Sequence, residues 1–163
     1  MWQAQIFTLY PEFFPGPLSK GLYGKALEKK IWNLKVVNIR DAAEDKHKTV
    51  DDTPFGGGAG MLLKADILAR SIDKNLKDNS RIFYLSPKGK KFDQKLAKEL
   101  SKEKSINLIC GHFEGVDERL LSTRNIEEIS IGDFILSGGE SAAVVIIDSI
   151  LRLLPGVLGN DSS

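Results

Sequence analysis

Residues 130–154 read SIGDFILSGGESAAVVIIDSILRLL. The stretch divides into parts with different physics. Its start belongs to a short segment near Glu128–Ile131 that reads as a strand. Gly132, Gly138 and Gly139 then punctuate the chain, letting the backbone turn and approach other groups closely. From Ser141 to Leu154 apolar residues dominate, interrupted by Asp148, Ser149 and Arg152. The length of this segment suits a helix, while its β-branched run Val144–Ile147 also suits a strand. A helix apolar on nearly all faces must be covered on nearly all faces, so we expect it to pack inside the domain and against another subunit.

The same order of strand, small-residue turn and helix recurs upstream. Arg81–Leu85 (RIFYL) reads as a buried strand ending in Tyr84-Leu85-Ser86-Pro87, and Lys91–Leu100 as a helix with Phe92, Leu96 and Leu100 spaced by four. Ile106–Cys110 (INLIC) reads as a strand that runs into Gly111 to Gly115, with a helix near Asp117–Ser122. Nearer the start, Ala4–Leu9 and Leu34–Ile39 read as strands, and Leu18–Ile31 and Leu62–Leu76 as helices. Strands alternating with helices imply an α/β domain on a mostly parallel sheet. In such a sheet a ligand sits in the crevice outside the carboxyl ends of the strands, where three of these turns fall. Their exposed backbone N–H and C=O groups could hydrogen-bond an adenine edge without charged side chains.

The 163 residues, 42% hydrophobic and 28% charged, are those of one ordinary globular domain and exclude collagenous or coiled-coil chains. No apolar run reaches the roughly 20 residues of a membrane span. The N-terminus has no signal-peptide pattern and Cys110 stands alone, so a cytoplasmic location is expected. A net charge of +1 argues against general coating of a polyanion, but the charge is segregated. Residues 61–110 hold 12 basic and 6 acidic side chains, whereas residues 111–163 hold 3 and 9.

Between Asp41 and Gly60 the apolar pattern gives way to DAAEDKHKTVDDTPFGGGAG. Loops of this length are usually functional or mobile, and mobility without ligand is expected because no apolar period anchors this one. Its glycine run, Gly56–Gly60, has the wrong spacing for a phosphate-binding P-loop, and no G-x-G-x-x-G follows the first strand. A dinucleotide-dependent oxidoreductase is therefore disfavoured. Neither His47 nor His112 belongs to a clustered Cys or carboxylate set that suggests a metal site, so none is expected.

Six motifs together resemble one family. They are PEFF (11–14), KTVDDTPFGGGAGM (48–61), YLSPKG (84–89), CGHFEGVDER (110–119), SIGDFILSGGE (130–140) and PGVLGN (155–160). In order and over the whole chain they resemble the bacterial tRNA (guanine-N1)-methyltransferases, of the SPOUT class of knotted methyltransferases. The resemblance implies a deep C-terminal trefoil knot in the sheet, a rarity among folds, with S-adenosylmethionine lying bent in it. Carried over residue by residue, the cofactor pocket would be Tyr84, Leu85, Ser86, Pro87, Gly111, Glu114, Ile131, Gly132, Asp133, Phe134, Ile135, Leu136, Gly138 and Gly139.

The same resemblance implies a homodimer, formed through the knot and the final helix, with the active site at its interface. The implied reaction transfers a methyl group to N1 of guanosine-37, immediately 3′ of the tRNA anticodon. It needs a base for the N1 proton and a cation for charge developing on O6. Arg152 matches the family's catalytic arginine. The family's general base is an aspartate following PGVLGN after a short linker, and it is expected beyond Ser163. On this reading residues 1–158 are the knotted domain, 159–163 begin the linker, and the helical C-terminal domain that helps hold the tRNA anticodon stem-loop is absent. The 163-residue chain is then expected to dimerise and bind cofactor with little or no methyl transfer. The alternative is a non-catalytic knotted module that binds S-adenosylmethionine or RNA. His112 and Phe113 stand where the family often has Arg and Tyr.

Overall fold

A computed structural model describes residues 1–52, 62–112 and 115–159. The chain begins with β1 (Trp2–Thr8), passes two short 3-10 turns, and continues through α1 (Gly21–Glu28) and β2 (Trp32–Asn38). Two-residue strands β3 (Asp51–Asp52) and β4 (Leu62–Leu63) pair antiparallel before α2 (Ala65–Asn75). Then follow β5 (Ile82–Lys91), α3 (Gln94–Ser101), β6 (Ser105–Cys110), α4 (Glu118–Thr123), β7 (Ile126–Ser130) and α5 (Glu140–Leu151). The main sheet has the order β2-β1-β6-β5-β7, and every pairing in it is parallel.

A parallel sheet requires a crossover between strands and cover on both faces. The alternation of side chains supplies two cores. Ile6, Phe83, Leu85, Leu108 and Ile129 point to one face, where they meet Leu96 and Leu100 of α3 and Ile146, Ile147 and Ile150 of α5. Phe7, Ile82, Ile109 and Ile126 point to the other, against Ile67, Leu68 and Ile72 of α2 and Leu120 and Leu121 of α4. The result is a three-layer α/β domain, the class the alternating pattern implies.

Several boundaries differ from the sequence reading. The helix expected over Leu18–Ile31 is broken at Lys20, whose backbone is extended, and α1 starts only at Gly21, which has a φ of +59°. Lys30 adopts a left-handed φ of 59° and closes the helix early. The helix expected from Leu62 starts at Ala65, because Leu63 pairs with Asp51 and donates its N–H to the Gly115 carbonyl. The strand expected to stop at Leu85 runs on to Lys91. Leu85 and Lys90 both pair with Ile129, so Ser86–Gly89 form a four-residue bulge. The Val144–Ile147 run is helical throughout.

The segment after β2 is better anchored than its polar composition implies. Ala42, Ala43 and Val50 are buried in the second core, and Asp45 accepts hydrogen bonds from the backbone and hydroxyl of Thr49. These apolar residues are spaced too irregularly to register as a period. Residues 53–60, including the glycine run Gly56–Gly60, lie outside the described residues.

Candidate functional site

A cavity of about 380 Å³ opens at the carboxyl ends of β5, β6 and β7, within the size range of small-molecule sites. β5 supplies Tyr84 and Leu85 and its bulge Ser86, Pro87 and Lys88, and the end of β6 supplies Gly111 and His112. The turn between β7 and α5 supplies Ile131, Gly132, Phe134, Ile135, Leu136, Gly138 and Gly139. Thus twelve of the fourteen residues assigned to the pocket from sequence meet in one crevice. Asp133 does not line it, and Glu114 lies outside the described residues.

Close backbone contacts build the crevice. Gly139 donates its N–H to the Gly111 carbonyl at 2.9 Å, joining the start of α5 to the end of β6. A Cβ on Gly139 would fall 2.8 Å from the Cα of Cys110, and one on Gly111 would fall 2.5 Å from the Tyr84 hydroxyl oxygen. At Gly132, with a φ of +156° and Phe134 close by, the turn from β7 enters the pocket. Phe134, Ile135 and Leu136 form an apolar rim that stays largely exposed.

Charge is sparse and mostly negative inside the crevice. Glu118 and Glu128 line it with Lys88 at the bulge. The residues carried over from the family placed the carboxylates Glu114 and Asp133 here and did not include these two. Glu118 stands in the first turn of α4 and Glu128 within β7, positions at which an acid has no local signal of a pocket. Tyr84 is 4% exposed, and burial, reinforced by the Glu128 carboxylate, pushes its phenol from 10.0 up to about 12. The raised value favours the neutral form in the folded state, so this group's contribution to stability is complete below pH 10. It is lost as pH rises from there to about 12, where the folded phenol also ionises. An absorbance titration of the phenols is expected to show a component near pH 12 that Tyr84→Phe removes.

Two further features lie beside the crevice. Glu140, the first residue of α5, is 5% exposed and bonds both His112 and Thr8. From sequence, His112 is weighed as a metal ligand and as a departure from the family, and Glu140 as a motif end, without the two being paired. Arg152 caps the far end of α5, exposed and outside the crevice. The helix between them has 12 residues and is about 18 Å long. Near Arg152, the Tyr23 hydroxyl donates to Asp148, and that hydrogen bond raises the phenol's pKa. Among the described residues no group of three or more His, Cys, Asp or Glu is placed to hold a metal, and no helix is long and apolar enough to cross a membrane.

These features define an α/β domain with a glycine-walled, cofactor-sized crevice at the carboxyl ends of a parallel sheet. A family model described as tRNA (Guanine-1)-methyltransferase TrmD matches residues 2–163. The chain is 84% identical over 163 residues to the tRNA (guanine-N(1)-)-methyltransferase of Pelagibacter ubique (strain HTCC1062), covering all of this chain and 72% of that protein. It is 57% identical over 162 residues to the enzyme of that name from Bartonella tribocorum, covering 99% of this chain and 69% of the relative. Against the one from Rhizobium etli the identity is 52% over 163 residues, with 99% and 70% covered. The chain belongs to the tRNA (guanine-1)-methyltransferase family.

Proposed function

We propose that this chain binds S-adenosylmethionine in the crevice and serves methyl transfer to N1 of guanosine-37 in tRNA, as part of a homodimer. The observation that carries the reading is that the backbone of Gly111, Gly138 and Gly139 lines the same crevice as the apolar Leu85, Ile131 and Leu136. Such a lining suits a flat heteroaromatic ring, hydrogen-bonded at its edge and covered on its faces. Glu118 and Glu128 suit the cationic methionine end. The residues present therefore fit this cofactor. When bound, S-adenosylmethionine, held by the glycine backbones and by Glu118 and Glu128, would supply the methyl group for guanine N1 and would leave as S-adenosylhomocysteine, the N1 proton going to a base.

The chain's own residues have three tasks on this reading. Tyr84, neutral at physiological pH, closes the floor beside Gly111 without adding charge. Arg152 stabilises negative charge on guanine O6. Because it sits a whole helix away from its own crevice, it serves the crevice of a second copy. The outward stripe of α5, with Ser141 and Val145 exposed, is where that copy would pack. The exposed lysines of the bulge and the strand beyond it, Lys88, Lys90 and Lys91, face the approach of tRNA phosphates. The trefoil threading is part of the same proposal, supported by the return of α5 from the β7 edge to pack on α3, β6 and β1.

Calorimetric titration with S-adenosylmethionine, S-adenosylhomocysteine and NAD tests the reading. Binding of the first two and not the third is expected. NAD binding without the others overturns it.

A further inference from the structure

We propose that Glu140, held between Thr8 and His112, is a positioning residue that fixes the spacing of the two backbone walls of the crevice. The inference rests on the S-adenosylmethionine reading of that crevice. Glu140 Oε2 accepts a hydrogen bond of 2.6 Å from the hydroxyl of Thr8, the fully buried last residue of β1. Its Oε1 lies 2.6 Å from His112 Nε2. An ionised carboxylate can only accept, so Nε2 carries the hydrogen. Both side chains of the pair are nearly buried, at 13% and 7% exposure. The Cys110 thiol, kept protonated by burial and by Glu140, adds a third neighbour from the end of β6.

The carboxylate thereby ties together β1, β6 and the start of α5 at the point where the walls meet. His112 and Gly111 form one wall, and Gly138 and Gly139 the other. A Cβ on Gly138 would fall 2.1 Å from His112 Cε1 and 2.7 Å from Glu140 Oε1, so the pair occupies the space a side chain there would take. The ring of Tyr10, 4.9 Å from the imidazole centroid, limits movement of His112. A buried carboxylate–imidazole contact is weak grounds for stability, since well-packed apolar residues often do as well. Geometry is what an apolar replacement would not supply: two short bonds of fixed direction to Glu140, the chain neighbour of Gly139, one of them from His112, the chain neighbour of Gly111.

Four proteins test this by calorimetry with S-adenosylmethionine and by amide hydrogen exchange: the unaltered chain, E140Q, T8V and T8S. Thr8→Val removes the hydroxyl at nearly constant shape, and Thr8→Ser keeps it. E140Q and T8V are expected to weaken binding by about tenfold, the scale of one buried bond lost, with T8S within about twofold. Exchange at the Gly139 amide is expected to speed up in E140Q and T8V while amides of Ile146–Leu151 keep their protection. Unchanged affinity in both variants overturns the proposal. So does a uniform loss of protection along α5 with T8S falling as far as T8V, which marks a residue that only stabilises the fold. An unaltered chain that does not bind S-adenosylmethionine overturns the cofactor reading itself and this inference with it.

Discussion

Gly89→Ala is expected to lower stability by about 3 kcal/mol and the melting temperature by roughly 6 to 12 °C, and to abolish S-adenosylmethionine binding. The added Cβ would fall 2.4 Å from the Ile129 nitrogen, 2.5 Å from the Glu128 carbonyl carbon and 2.6 Å from the Ile129 Cα. All three are backbone atoms, so no rotamer change relieves the clash. β5 must move away from β7 at the register shift, where Lys90 pairs with Ile129. The bulge that carries Ser86, Pro87 and Lys88 into the crevice is closed by that contact, so affinity and stability should fall together. Gly159→Ala is the control: nothing among the described residues lies within 4 Å of its Cβ, and neither quantity should change. Thermal denaturation and calorimetry on the two variants decide the matter. A stable Gly89→Ala protein with full affinity would mean that the strands separate without cost.

Gly89 also shows where sequence reading stops. The short apolar run INLIC and the four-residue spacing of Phe92, Leu96 and Leu100 are local, and they placed β6 and α3 within a few residues of their observed bounds. Ser-Pro-Lys-Gly reads as a turn because Pro and Gly usually end strands. That it is a bulge inside β5 depends on which strand lies beside it, a tertiary fact with no local signature. The place of the crevice was legible because small-residue turns follow three strands, while its individual residues came from the motifs shared with the family. Glu140 was not, because an acid in the first turn of a helix has an ordinary explanation in the helix dipole, and its partner Thr8 is 132 residues away. Asp133 was carried over with its motif, yet it lies off the crevice while its neighbours Gly132 and Phe134 line it.

Arg152→Ala, assayed in the full-length protein, is expected to reduce methyl transfer by roughly 10² to 10³-fold, the scale for losing one donor to developing negative charge. Affinity for S-adenosylmethionine should stay as it was, because Arg152 is exposed and does not line the crevice. Its nearest structural ties are at the end of α5 and to the Tyr23–Asp148 pair, far from Gly111. A mixed dimer separates action on its own crevice from action on the partner's. Gly111→Val forces a branched side chain against the Tyr84 hydroxyl and closes the crevice while leaving Arg152 intact. If Arg152 serves the partner's crevice, a dimer of one Arg152→Ala and one Gly111→Val protomer has one complete site. Random mixing then restores about a quarter of normal activity from two nearly inactive parents. If the arginine serves its own crevice, neither site in the mixed dimer is complete and no activity returns. The 12-residue length of α5 makes the first outcome the expected one: a side chain at its far end cannot reach back along the helix to the glycines that begin it.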